Sequence, residues 1–268
     1  MQVEGKAAVV TGASSGVGRA TALALARRGC AVLVNYRNSQ GEAEEVVAEA
    51  AALGAKAFAF QADVADDTQC RAMVAAAAER FGRLDILVNN AGATRFVPHA
   101  ALDRLVDDDW DRMFAVNVKG PFHCARAARE HLLASGGGTI VNVASVAGIA
   151  ATGSSIPYAA SKAALINLTV SLARAMGPQI RVNAVAPGFI TGRWLRAGLG
   201  AQYDAAKERM EARVPLERVC EPEDVADAIL SLITGSDLVT GQTLVCDGGM
   251  LIADISAPPA RARTKNGQ

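Results

Sequence analysis

Seven short apolar runs recur along this 268-residue chain, and stretches of helix length separate them. The runs are Ala7–Thr11, Ala31–Asn35, Ala57–Gln61, Ile86–Asn89, Thr139–Val143, Arg181–Ala186 and Thr243–Cys246. Each suits a strand buried on both faces. Between them lie Ala-rich or amphipathic segments such as Gly41–Leu53, Thr68–Phe81 and Ile156–Met176. Strand, helix, strand in strict alternation closes into right-handed crossovers, which predicts an α/β protein: one parallel sheet with helices on both faces. Hydrophobic residues make up 51% of the chain but aromatics only 4%. The core must then be built from Ala, Val, Leu and Ile, which lets helices lie close against the sheet. No Pro- or Ser-rich linker divides the chain, so a single domain is expected over residues 1–255. One segment breaks the rhythm. Thr191–Arg218, with Trp194 and Tyr203, is a long connection before the seventh strand. It reads as a substrate-covering lid or as a packed helical insertion. The tail, Ser256–Gln268, lacks periodicity and is expected to be disordered at its end.

Charge and cysteine content narrow the partners. Basic and acidic side chains balance at 27 each, so nothing favours nucleic acid or an anionic membrane through bulk charge. No apolar run approaches the ~18 residues of a membrane span, and Met1 leads straight into a strand pattern. Neither a span nor a secretory leader is expected. The five cysteines, at 30, 70, 124, 220 and 246, have no metal-like or redox-like spacing and read as reduced thiols of a cytoplasmic protein. His99, His123 and His131 show no ligand spacing either, so no metal is expected. Asp107 and Asp109 precede a helical run and read as helix-start charges.

The first strand runs directly into TGASSGVG and then a helical pattern. Gly12, Gly16 and Gly18 sit in this strand-to-helix turn, where glycine permits unusual backbone angles and a close approach to a pyrophosphate. The helix amino terminus adds free N–H groups and a favourable dipole for phosphate. Ser14 and Ser15 can add hydroxyl donors, and Val17 lies within the same turn. A dinucleotide cofactor follows from that context. The end of the second strand chooses between cofactors. A carboxylate there would bind the 2′-hydroxyl of NAD and repel the 2′-phosphate of NADP. The sequence instead reads LVNYRN, with Asn35 and Arg37 and no acid before Glu42. A guanidinium pairs with phosphate through two parallel bonds, so NADP(H) is expected ahead of NAD(H). The alternative for Arg37 is a solvated surface charge.

Tyr158 and Lys162 lie four residues apart in a helical stretch and so share one face. A free phenol has a pKa of about 10, and a neighbouring ammonium is expected to lower it. Tyr158 could then give a proton to a carbonyl oxygen or take one from an alcohol. Ser145 follows the fifth strand, TIVNVAS, at the sheet end where ligands bind in open α/β folds. It could orient the same oxygen, or be a plain turn serine. Asn117, in FAVNVKG, is a polar residue inside an apolar helical run, costly unless it has a purpose.

Asn117, Ser145, Tyr158 and Lys162, with the TGxxxGxG turn, resemble the short-chain dehydrogenase/reductase family over roughly residues 4–252. The resemblance implies a doubly wound, Rossmann-type sheet of seven parallel strands and a hydride transfer between nicotinamide and a carbonyl or alcohol carbon. It implies a catalytic tetrad in which Asn117 holds a water that extends a proton relay from Lys162, and Lys162 also binds the nicotinamide ribose. Asp63–Val64 corresponds to an adenine contact, although Asp63 could equally be a helix N-cap. NNAG, Asn89–Gly92, is expected to line the adenosine ribose through Asn90, Ala91 and Gly92, with Asn89 structural. PGFI, Pro187–Ile190, is expected to approach the carboxamide, Gly188 and Ile190 through backbone. Thr191 stands one place before the family's frequent threonine. DGG, Asp247–Gly249, resembles the family's structural closing motif.

The stretches VNYR, NNAG, YAASKAAL and IRVNAVAPGFI are most similar to the 3-oxoacyl-(acyl-carrier-protein) reductase-like branch. A small carbonyl, an alcohol or an acyl thioester is the implied substrate. One departure weakens docking of an acidic carrier: the turn Ala134–Ile140 has no charge, although Arg126 and Arg129 lie on the preceding helix. A homotetramer or homodimer is implied through the helices beginning near Pro121 and Ile156. Two rival readings stand beside this one: a sugar, polyol or alcohol dehydrogenase, and a non-catalytic NADP-binding regulator on the same fold.

Overall fold

All seven apolar runs are strands of one parallel sheet in the computed structural model, which describes residues 1–253. They are β1 (Ala7–Val10), β2 (Ala31–Tyr36), β3 (Ala57–Gln61), β4 (Ile86–Asn89), β5 (Gly138–Val143), β6 (Ile180–Pro187) and β7 (Thr243–Cys246). The spatial order is β3-β2-β1-β4-β5-β6-β7, the doubly wound Rossmann-type arrangement. The order reverses between β1 and β4, which pair through Val9↔Leu87 and Val10↔Val88. Crossovers leave that point in opposite directions, so a crevice opens at the carboxyl ends of these strands. β6 runs one residue further at each end than the sequence pattern indicated.

Strand residues alternate between two apolar clusters, as the two-residue period of a strand requires. Ala8, Val10, Val32, Val34, Ile86 and Val88 enter one cluster. Val9, Leu33 and Leu87 enter the other. The first is covered by α1 (Gly16–Ala26), α2 (Gln40–Ala52) and a C-terminal helix, Pro222–Thr234. The second is covered by α3 (Asp67–Phe81), by Gly120–Ala134 and by Ile156–Met176. In chain order, α4 is Asp107–Phe114, α5 Gly120–Ala134, α6 Ala147–Ala150 and α7 Ile156–Met176. α8 is Arg193–Leu199, α9 Tyr203–Glu211 and α10 Pro222–Thr234. The segment 191–218 therefore carries α8 and α9, joined by a 3-10 turn at Gly200–Gln202.

Three sequence readings need correction or completion. The N-cap of α3 is Asp66, which accepts from the N–H groups of Thr68 and Gln69; Asp63 has no part in it. Asn117 lies in a single π-helical turn, Ala115–Lys119, between α4 and α5. The cysteines, dispersed in sequence, meet in space: the Cys70 and Cys124 sulfurs are 3.6 Å apart, and the Cys220 thiol donates to the Cys246 carbonyl. Spacing along a chain is silent about such meetings between distant elements. The tail read as disordered, 256–268, lies outside the described residues. No described helix is long and apolar enough to cross a membrane.

Candidate active site

The glycine turn is shaped by contact. A Cβ at Gly18 would lie 2.4 Å from the Gly12 carbonyl oxygen and 2.5 Å from the Asn90 amide nitrogen. A Cβ at Gly12 would lie 2.9 Å from the Ala91 Cα. Gly16 differs: its φ is +54° and a Cβ there would meet nothing within 4 Å, so its face is open to the crevice. The first hydrogen bond of α1 runs from Arg19 N–H to the Ser15 carbonyl. Among the described residues, the N–H groups of Gly16, Val17 and Gly18 ahead of it keep no protein partner, as at any helix start. Ser15 makes no side-chain cap. Free donors, an open floor and a helix dipole fit the pyrophosphate of a nicotinamide dinucleotide.

Asn35 departs from its expected role. It is only 2% exposed. Its side-chain oxygen accepts from Gly12 N–H at 3.0 Å, and its amide nitrogen donates to the carbonyls of Phe60 and Ala62. Such a side chain braces the glycine turn and has no capacity left for a phosphate. Arg37 is different: 49% exposed, it makes no hydrogen bond with its guanidinium among the described residues. It lies 3.6 Å from Asp63 Oδ2, in a cavity of about 510 Å³ lined also by Asn38, Gln61, Gln69 and Arg112. Val64 packs against Gly120, and its own N–H is uncommitted among the described residues. Asn90 is half engaged: its amide nitrogen donates to the carbonyls of Thr11 and Gly12, which leaves only its oxygen. Ala91 N–H donates to the Thr11 hydroxyl. Gly92 lies beside Asn117 and Lys162, 3.6 and 3.9 Å from where its Cβ would stand.

At the other end, the tetrad residues come together around α7. Its close seat on α6 sets the spacing: a Cβ at Gly148 would strike the Ala163 nitrogen at 2.6 Å. Lys162 is 3% exposed and donates to the Val143 carbonyl at 2.8 Å. Its Nζ is 5.8 Å from the centre of the Tyr158 ring, so the two do share a face. The expected electrostatics do not follow. Burial pushes the Tyr158 phenol up to about 12, opposed only by a hydrogen bond from Ser145. Burial also pulls the Lys162 amine down to about 8. In a dry site the loss of hydration penalises the charged form of both groups, and each moves toward its neutral form. Ser145 accepts from Ala147 N–H at 3.1 Å and faces the Pro187 carbonyl at 3.5 Å. Asn117 is fully buried. Its side chain accepts from Ala93 N–H and donates to the Ala93 carbonyl and the Ser161 hydroxyl. That cross-brace is the purpose that offsets burying an amide.

The insertion closes over this end. Trp194 stands edge-on to Tyr158 with centroids 6.1 Å apart, and Phe96 presses on the Gly198 backbone so closely that no Cβ could fit. The segment is helical, and its Trp194 lies beside the tyrosine. Ile190 pairs with Cys220 through the Thr191 N–H and the Phe189 carbonyl. The peptide groups of Ile190 itself remain uncommitted among the described residues. Gly188 donates to the Cys246 carbonyl, and Pro187 accepts from Val146. Thr191 hydrogen-bonds Glu221. Asp247 accepts from Gly249 and Leu251, a structural use of DGG.

Thr11, Ser161 and Arg112 escaped sequence reasoning. Thr11 was inside the quoted glycine motif, and its position before the first glycine was the available signal. Ser161 adjoins Lys162 and repeated no pattern. Arg112 meets Asp63 from 49 residues away, which no local spacing reports.

A Rossmann-type sheet with this turn and this cluster defines an NAD(P)-dependent oxidoreductase. The chain belongs to the short-chain dehydrogenase/reductase family: the family profile described as enoyl-(acyl carrier protein) reductase matches residues 12–251. It is 42% identical over 247 residues to the 3-oxoacyl-(acyl-carrier-protein) reductase FabG of Staphylococcus aureus, covering 91% of this chain and 98% of that one. Among solved structures it is similar to an NAD+-bound xylitol dehydrogenase, at 31% identity and a TM-score of 0.84, covering 93% of this chain and all of that one. It is also similar to a 7α-hydroxysteroid dehydrogenase complexed with NADH and 7-oxo glycochenodeoxycholic acid, at 32% identity and a TM-score of 0.84, covering 92% and 95%.

Proposed function

We propose that this enzyme uses NADPH to reduce a ketone, with a 3-oxoacyl thioester as the favoured substrate class, and that residues 1–255 form its one catalytic domain under a lid at about 191–218. The observation that carries the reading is the buried convergence of Tyr158, Ser145 and Lys162 beneath Trp194. When bound, the reduced nicotinamide supplies the hydride. The Ser145 hydroxyl donates to the substrate oxygen and polarises the carbonyl. Tyr158 gives its phenolic proton to that oxygen as the carbon is reduced, so a ketone becomes a secondary alcohol and the tyrosine a phenolate. The Lys162 amine, protonated near neutrality, then favours the phenolate and its reprotonation. Asn117 holds the Ala93 loop against α7 and so fixes the lysine's surroundings. A phenol with a pKa of about 12 stays protonated at working pH, which suits a donor and therefore reduction over oxidation.

Arg37 supports NADP(H), since an exposed guanidinium that makes no hydrogen bond among the described residues suits a 2′-phosphate. Contacts to the rest of the dinucleotide are assigned to Gly12, Ser14, Ser15, Gly16, Val17, Gly18, Asp63, Val64, Asn90, Ala91, Gly92, Pro187, Gly188 and Ile190. The relationship to a 3-oxoacyl-(acyl-carrier-protein) reductase supports an acyl thioester. Aromatic groups over Tyr158 suit an apolar acyl chain better than a polyol. A protein carrier is less favoured, because Arg126 already pairs with Asp67 and Arg129 with Glu130. Steady-state assays with acetoacetyl thioesters, simple ketones, sugars and alcohols, using each cofactor, test the reading. The highest kcat/KM is expected for acetoacetyl thioester with NADPH; a preference for a sugar with NAD would overturn it.

A further inference from the structure

Arg37 is not the only guanidinium beside Asp63. Arg112, on α4, lines the same cavity and approaches the same carboxylate. The Asp63 Oδ1 accepts from Ala65 N–H at 3.0 Å, and both arginines approach Oδ2. Arg112 holds that oxygen in a hydrogen bond at 3.3 Å. Arg37 stands at 3.6 Å with no hydrogen bond. Two further polar side chains in this cavity are spent locally. Gln61 donates to the Arg37 carbonyl at 2.9 Å and fixes that backbone. Gln69 accepts from Asp63 N–H and donates to Asp66.

We propose that Arg112 is a positioning residue for cofactor choice: by occupying Asp63 it keeps the fork of Arg37 free for the adenosine 2′-phosphate. The inference rests on the NADP(H) reading above and adds a second determinant to it. Without Arg112, Asp63 Oδ2 has one suitor left, and Arg37 closes onto it. A guanidinium committed to a carboxylate gives up the paired bonds it would make to phosphate. The residual carboxylate charge would repel the phosphate as well. Arg112 itself stays on its carboxylate.

The test is equilibrium binding by titration calorimetry, with adenosine 2′,5′-bisphosphate and 5′-AMP as probes. The ratio of the two dissociation constants isolates the 2′-phosphate and cancels general damage to the adenine pocket. Arg112→Ala should lower this discrimination by about tenfold, the scale of one charge-assisted pairing. The double variant Arg112→Ala/Asp63→Asn should recover it to within about threefold of wild type, because an amide no longer captures Arg37. A cavity that merely needs Arg112 for its shape would not be rescued by that second change. Unchanged discrimination in Arg112→Ala, with a clear loss in Arg37→Ala, would overturn the proposal and leave the NADP(H) reading intact. A loss that Asp63→Asn does not rescue would also overturn it, by making Arg112 a direct phosphate contact. No loss in Arg37→Ala would remove the underlying reading and this one with it.

Discussion

At the adenosine end of the crevice, Arg37 and Arg112 stand half in water, 49% and 43% exposed, around one carboxylate. At the reacting end, Tyr158 and Lys162 are 9% and 3% exposed beneath a helical insertion. Water screens the first pair of charges, so their work depends on geometry: which fork is free and which is occupied. The second pair is governed by the loss of water itself. Burial dominates: it moves the phenol to about 12 despite the Ser145 hydrogen bond, and the amine to about 8, so the phenol shifts opposite to the direction that spacing along a helix suggested. On the proposed reading, the same fold would recognise its cofactor through exposed charges and do its chemistry through hidden ones.

The comparison predicts unequal consequences. Lys162→Met should cost most among changes that leave the tyrosine in place, lowering kcat by about 10²-fold or more. Its stability should move the other way near neutrality. Burial takes the lysine pKa from 10.5 to about 8, so between those values the unfolded chain binds more protons than the folded one. Wild-type stability relative to the variant therefore rises with pH through that window. Near pH 7 the amine is charged in both states and the burial penalty is present in full. The variant should then be the more stable by about 1–3 kcal/mol, and melting curves at a series of pH values should show the gap closing by about pH 10.5. A gap that does not change with pH would place the amine in a wetter site than described.

Arg37→Ala should act at the exposed end alone. The KM for NADPH is expected to rise about tenfold or more, with NADH changed less than about threefold and kcat little altered. Equal effects on both cofactors would erase the contrast between the two ends. The smallest effect belongs to Arg193, which reaches from α8 to pair with Glu42 of α2 at 2.6 Å. The pair is exposed, and surface ion pairs contribute less than about 1 kcal/mol. Arg193→Ala should change kcat and KM by about twofold at most, and less in high salt. A large change would mean the insertion is latched there.

How far the chain could be read without coordinates follows the same division. Period and alternation depend on neighbours in sequence, so the seven strands and the sheet class were legible from residues such as Ala8, Val9 and Val10, whose faces alternate. The glycine turn and the Tyr158–Lys162 spacing were legible because each lies on one continuous element. What escaped lies between elements. Asn35 looked like a cofactor contact because it ends a strand, but its side chain is consumed by Gly12, Phe60 and Ala62. Asp63 had a helix cap as the alternative to its adenine contact, and Asp66 took the cap. The encounter of Arg112 with Asp63 depends on how α4 crosses the crevice. The sign of the Tyr158 shift depends on burial, which a helical spacing of four does not report.

The central claim is that a buried phenol delivers the proton at a site whose cofactor-binding half is separate from it. Tyr158→Phe tests this most directly, by measuring NADPH binding through calorimetry and NADPH oxidation with a 3-oxoacyl thioester on the same preparation. The account predicts a dissociation constant within about threefold of wild type and turnover lower by about 10³-fold or more. Near-normal turnover in the phenylalanine variant would contradict it.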